Sequence, residues 1–370
     1  MQGEIDMAKV RLADQPADFK RLGVNPNCVE VWEDGRRNKD TRANNWEWWY
    51  SDFIFDDGTK AVAQFFTKRF SKLRSSGDYP AIHLRITLPD GTMYKEEIDV
   101  NAKDASFGQE RCDTVLGPHF FKGDLCEYHI HVEPIKGYGL DLKLSSRSKP
   151  YRPGTAFFEF GSPDNYYTWL CALPRGEVTG TLTYDGNTRE VRGYGYHDHQ
   201  WGSENWLYEW NHWLWARQRY DDYSLLVFDM TATKKNDYER FPIMFIQDKD
   251  GNLVFENKGS VKCELLEEYH DKDISGKNYP KDVRYTFESG GDKAVYRVKW
   301  KEILETFGVD TFTGANKLLV KLLGVKISYS RYLADGELSL TVGGKTIERS
   351  NELIYEFMFP GESYDGHYKT

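Results

Sequence analysis

The chain has 370 residues, of which 15% are aromatic and 29% charged, with 49 basic against 58 acidic side chains and a formal net charge of −9. That length suits two units of ordinary size, each with a core large enough to hold without staples. No lysine- and arginine-rich run marks a phosphate-binding stripe, which speaks against nucleic acid and anionic membrane surfaces as partners.

No apolar run approaches the roughly 20 residues of a membrane span, and no N-terminal segment resembles a signal peptide. The five cysteines, Cys28, Cys112, Cys126, Cys171 and Cys263, are scattered and form no C-x-x-C pair. Reduced thiols in a cytoplasmic protein are the expectation, with neither a disulfide framework nor a structural zinc site.

Residues 1–44 read as an irregular polar arm. From 45 the pattern is of short strands joined by turns. WEWWYSDFIF and TKAVAQFFTKRF form a hairpin at Asp57-Gly58, and AIHLRITL and TMYKEEIDV a second at Asp90-Gly91. CEYHIHVEPI and YGLDLKLSSR pair around Gly137, then TAFFEF, YYTWLCAL and GEVTGTLTY follow. The second half repeats the style through NWLYEWNHWLWARQ, DYSLLVFDMTA, RFPIMFIQ and ELIYEFMF, with VKISYSRYL and ELSLTV flanking Ala334-Asp335-Gly336. Short helices fit KEILETF and NKLLVKLLG, the latter equally a buried strand. The expected fold is all-β: two tandem antiparallel β-barrels, at 45–185 and 186–370, with the boundary between Pro174 and Gly193.

Chemistry-bearing residues concentrate between Gly193 and Trp215, which hold His197, His199 and His212 and five of the eleven tryptophans. Read as a strand, GYGYHDHQWG puts His197, His199 and Trp201 on one face beside the space left by Gly193 and Gly195. Tyr194, Tyr196, Asp198 and Gln200 share the other. The histidines then line a ligand cavity, or they are hydrogen-bonded core residues. A third reading makes them cis metal ligands completed by His212 or a carboxylate, but no familiar spacing completes that set. Asp229 stands among apolar neighbours in YSLLVFDMTA, where poor solvation favours a protonated carboxyl. Glu47 is flanked by indoles, with Trp46, Trp48 and Tyr50 facing away from Glu47 and Trp49. No G-x-S-x-G elbow or nucleotide-binding glycine loop is present.

E-W-W-Y opening an early strand, Y-H-D-H-Q-W-G near the middle, and Y-S-R-Y-L-A-D-G-E-L-S-L with Tyr355-Glu356 near the end resemble the carotenoid 1,2-hydratase and AttH-like lipocalin superfamily. Kievitone hydratase and the fungal lipocalin-like Diels–Alderases resemble the same template. The resemblance implies two lipocalin-like barrels and cofactor-free, metal-free chemistry on a hydrophobic terpenoid, prenylated or polyene small molecule. It assigns catalysis to His199, Trp201 and Asp229 and places Glu47, Trp48 and Tyr50 in the substrate wall, for which Gln64, His197 and Trp215 are further candidates. Val227 stands where the family has a tyrosine, a departure from strict carotenoid hydratases. The expected activity is hydration or protonation-driven cyclisation of an alkene, with Asp229, Glu47 or Asp198 as the acid. The alternatives are a pericyclase and a carrier without chemistry.

Overall fold

The structure is a computed structural model that describes residues 10–257, 261–308, 327–364 and 366. It is nearly all β and divides into two compact units, Met1–Asn205 and Trp206–Thr370. The first sheet starts at Trp46–Phe55 and meanders through Lys60–Phe66, Ala81–Thr87 and Met93–Asp99. It restarts at Ala105–Phe107 and passes through Cys112–Leu116, His119–Gly123, Glu127–Ile135, Tyr138–Ser146 and Tyr166–Tyr184 to Asn187–Gly202. That last strand zips onto the first, from Gly193 opposite Phe55 to Gly202 opposite Trp46.

The second sheet has the same plan with fewer strands. Trp210–Arg219, Tyr223–Ala232, Arg240–Asp248 and Leu253–Glu256 form one run. Val261–His270, Asn278–Ser289, Asp292–Gly308, Ser328–Val342 and Lys345–Phe359 form the other, and the last strand again pairs with the first. Each sheet curls into a half-barrel, so the chain is a pair of lipocalin-like units. Among the described residues no helix is long and apolar enough to cross a membrane.

Alternation along the strands fills each concave face with apolar residues, among them Trp49, Phe65, Phe121 and Leu142 in the first unit and Leu214, Tyr285, Phe287 and Tyr332 in the second. Each such side chain stabilises its unit by about 1.5–3 kcal/mol.

The structure departs from the sequence reading in several places. The division falls after Asn205 rather than at 185/186, because Asn187–Gly202 is hydrogen-bonded on both sides to strands of the first sheet. The arm is ordered: a helix at Pro16–Leu22 is pinned by Arg11 and Arg21 bridging to Asp18 and Glu159, and a 3-10 turn follows at Val31–Asp34. Tyr166–Tyr184 is one strand, with register shifts on either side of Leu173, the second spanning Pro174, where proline is tolerated at a bulge. A 3-10 turn at Trp206–Tyr208 precedes Trp210–Arg219. The residues of KEILETF lie in the strand Asp292–Gly308, where shifts at Trp300/Glu302 and Ile303/Glu305 break the two-residue period and mimic helical spacing. Ala334-Asp335-Gly336 is no turn. Gly336 lies mid-strand because a Cβ there would meet Gln218 Oε1 at 2.0 Å, and the chain turns instead at Gly343-Gly344. NKLLVKLLG lies outside the described residues.

Candidate active site

Asn187–Gly202 carries two chemically different faces. His197, His199 and Trp201 point into the concave side, opposite Ser51, Trp49 and Glu47, and all three are buried. The space beside Gly195 is taken up: a Cβ there would meet Leu144 at 2.6 Å and Phe53 at 2.9 Å. The histidines are instead part of a dense polar cluster. Trp49 stacks on the His199 ring at 4.7 Å, and the Trp201 ring lies 4.7 Å from it, tilted. Glu47 Oε1 accepts the Arg37 amide at 2.7 Å and faces His199 Nε2 at 2.8 Å, while Oε2 accepts the Asn38 amide at 2.9 Å.

The arm delivers the centre of this cluster, Asp34, from the end of its 3-10 turn. Asp34 Oδ2 accepts the Tyr128 hydroxyl at 2.6 Å, and its two oxygens lie 3.3 and 3.2 Å from His197 Nε2. His197 Nδ1 lies 2.8 Å from the Tyr50 carbonyl, which only accepts, so Nδ1 carries the hydrogen. The Cys112 thiol donates to the Phe121 carbonyl at 3.4 Å. Burial disfavours a charged His197, but Asp34 and the Tyr50 carbonyl outweigh it and the net shift is upward. Burial, then Asp34, pushes the Tyr128 phenol and the Cys112 thiol well above their ordinary values.

The opposite face has a different character. Tyr196, Asp198 and Gln200 stand opposite Asp52, Tyr50 and Trp48. Asp198 is 3% exposed; its Oδ2 accepts the Tyr196 hydroxyl at 2.9 Å and its Oδ1 the Gln200 amide at 3.0 Å. Tyr167 donates to Gln200 Oε1 at 2.5 Å and so fixes the amide's orientation. Burial pushes the Asp198 carboxyl up to about 6, against the opposing pull of Gln200 and Tyr196. Around it runs an aromatic strip. Trp46 and Trp48 stack at 4.2 Å, Tyr167 lies 5.7 Å from Trp46, and Phe66 and Phe70 meet Trp48 edge-on at 6.0 and 5.7 Å. Gln64 sits half-buried on this face, paired with Tyr50.

The remaining predicted residues lie in the second unit. Asp229 is buried in the concave side, where Arg240 grips it with two hydrogen bonds of 2.8 Å and Tyr285 donates a third at 2.7 Å. Trp215 points away from that core, with the Arg217 guanidinium 5.5 Å from its ring. His212 shares its Nδ1 with Asn211 at 2.7 Å and stacks on Phe357. The predicted site residues of the first unit therefore fall into two sets. Trp48, Tyr50 and Gln64 accompany Asp198, while Glu47, His197, His199 and Trp201 accompany Asp34. Asp34 and Tyr128 carried no local signal: Asp34 meets Tyr128 and His197 across 94 and 163 residues of sequence. A cleft of about 430 Å³ reaches the buried Cys112 and Tyr128, but Arg111, Asp113, Lys122 and Lys143 line it, and charged walls suit a greasy ligand poorly.

Two antiparallel meanders, each sealed by its own first and last strands, define a tandem lipocalin-like protein. The sequence profile of the family described as AttH-like matches residues 39–302, and the chain belongs to that family. No curated protein matches the sequence. Among solved structures, an AttH-type protein from Nitrosomonas europaea is 16% identical with a TM-score of 0.59, over 92% of this chain and 99% of that one. CghA in complex with Sch210972 is 15% identical with a TM-score of 0.57, over 96% and 99% of the two chains. Kievitone hydratase from Nectria haematococca is 11% identical with a TM-score of 0.53, over 91% and 97%. At these identities the likeness is one of fold.

Proposed function

We propose that the protein hydrates or cyclises an isolated alkene of a hydrophobic terpenoid, prenylated or polyene substrate, with Asp198 as the proton donor. The surroundings of Asp198 carry this reading. The Tyr196 hydroxyl and the Gln200 amide that donate to it are neutral, and an aromatic strip flanks it on the same face. The other acids considered are held as partners of cations or backbone amides: Asp229 by Arg240, Glu47 by two amides and His199. A carboxyl that gives up a proton needs the first kind of surroundings.

In the proposed cycle Asp198 transfers its proton to one alkene carbon, leaving a tertiary cation on the other. The π faces of Trp48 and Trp46 stabilise that cation, each contact by about 0.5–2 kcal/mol. Water attacks, and the proton it sheds returns to Asp198, so the carboxyl ends as it began. If a second alkene of the substrate attacks first, a ring forms and a neighbouring C–H supplies the returning proton. The cycle needs no nucleotide because the proton leaves and rejoins one group.

The fold is shared with kievitone hydratase and with CghA, which binds Sch210972, and this is in keeping with small-molecule chemistry. The test is a panel of prenylated and polyene alkenes incubated in H₂¹⁸O and in D₂O and followed by mass spectrometry. ¹⁸O in the product identifies a hydratase; deuterium without ¹⁸O identifies a cyclase. Cyclised product bearing neither label, formed equally by Asp198→Asn, would replace this reading with a pericyclase. Ligand bound and recovered unchanged would replace it with a carrier.

A further inference from the structure

We propose that Gln64 and His83 form a polar subsite that binds a neutral hydroxyl of the substrate, about 14 Å across the first sheet from Asp198. The inference deepens the reading above, and its alkene end rests on that reading.

Strand pairing puts these residues in one row. Asp198 stands opposite Tyr50, Tyr50 opposite Gln64, Gln64 opposite His83, and His83 opposite Glu97. Residues directly opposite each other in a sheet share a face, so the row crosses the face that carries Asp198. Three strand spacings of about 4.8 Å separate Asp198 from His83, which sets the distance between the two ends.

The aromatic strip reaches His83. Trp48 meets Phe66 at 6.0 Å and Phe70 at 5.7 Å, and those two rings lie 5.1 Å apart. The His83 ring follows, 4.5 Å from Phe66 and 6.1 Å from Phe70. An apolar surface that begins near the proposed acid therefore ends in hydrogen-bonding groups.

The two ends differ in how their polar side chains are paired. Near Asp198, Tyr196 and Gln200 donate to the carboxyl, Tyr167 donates to Gln200, and the Tyr50 hydroxyl donates to Asp52 at 3.3 Å. The Gln64 amide makes no hydrogen bond among the described residues, and His83 Nε2 stands 3.6 Å from Glu97 Oε1, outside hydrogen-bonding range. Both side chains are half-buried on a face lined with rings. Such groups are only partly hydrated, so a ligand group that bonds to both recovers interactions the protein leaves unmade.

The chemistry of the two side chains selects that group. A hydroxyl donates one hydrogen bond and accepts others, and so does the amide, so the match does not depend on the imidazole's tautomer. Burial, opposed by Glu97, holds the His83 ring toward its neutral form. A carboxylate or diphosphate at this place would meet Glu97 as a like charge. Arg69, which could offset it, already bonds Glu97 at 2.8 Å and pairs with Asp99.

The test is calorimetric binding of farnesol, farnesyl methyl ether, farnesoic acid and farnesyl diphosphate. Farnesol carries a hydroxyl and a terminal alkene at opposite ends of a chain of comparable length. The whole protein is compared with Gln64→Met and His83→Phe, which keep size and packing. Farnesol should bind about 2–13-fold more tightly than the ether, the worth of one neutral hydrogen bond, and more tightly than either anion. Each substitution should shrink that preference and leave the affinity for the ether unchanged. Equal affinity for alcohol and ether, tighter binding of either anion, a preference that survives both substitutions, or no saturable binding of any of the four would overturn the assignment. Asp198→Asn should keep the preference, which separates the two readings. Preference without isotope-labelled product removes the chemistry and keeps the subsite; labelled product without preference does the reverse.

Discussion

Replacing Asp229 with asparagine separates a structural carboxylate from a catalytic one. The change removes the negative charge that pairs with Arg240, whose side chain is 14% exposed, and one of the two bonds Arg240 now makes, while the remaining oxygen still accepts from Tyr285. Removing one partner of a buried pair costs about 3–5 kcal/mol because the remaining charge stays desolvated. The surviving acceptor and the slight exposure of Arg240 place this case toward the lower value. For a unit of this size each kcal/mol lowers the melting temperature by about 2–4 °C, which gives a fall of roughly 6–20 °C. The assay is calorimetry on both proteins, followed by turnover per folded molecule well below the lower transition. The expectation is a large loss of stability with turnover nearly unchanged. A variant that melts like the parent but has lost turnover would refute the argument and return Asp229 to the reaction.

Asp198→Asn should lower turnover by about 10²–10⁴-fold, the usual worth of a positioned acid, while ligand affinity and melting temperature stay close to the parent's. Loss of affinity in step with rate would mean that Asp198 only binds. Trp48→Ala removes one π face from the cation and should slow turnover by roughly 2–30-fold, read as kcat with saturating substrate. Gly336→Ala pushes a methyl onto Gln218, which holds Tyr296 and the Asn351 carbonyl, and should destabilise the second unit by about 1–3 kcal/mol in urea unfolding. The hydrogen bond from Arg11, then Arg21 and the Gln15 amide, hold the Asp18 carboxyl well below the usual carboxylate range. Its contribution is therefore complete above the unfolded value of about 3.9 and fades as the pH falls below it. Proteolysis of the arm should accelerate in that acid range and not at neutral pH.

Strand alternation and turn chemistry are local, so the hairpins at Asp57-Gly58, Asp90-Gly91 and Gly137 were legible from residues a few positions apart. Alternation also placed His197, His199 and Trp201 on one face and Tyr196, Asp198 and Gln200 on the other, as the pairing with Trp46–Phe55 has them. Where bulges reset the period, as after Trp300, or where a glycine answers a neighbouring side chain, as Gly336 answers Gln218, local rules misled.

What the sequence by itself determined is an all-β chain of alternating strands in two units, with a histidine-rich strand whose faces differ. Only the tertiary structure decided that this strand closes the first sheet, that Asp34 reaches its histidines from the arm, and that Asp229 answers to Arg240 and Tyr285. The physical reason is range. Backbone geometry and side-chain direction are fixed by immediate neighbours, whereas the charge state and partners of a buried group are fixed by atoms that only folding brings near.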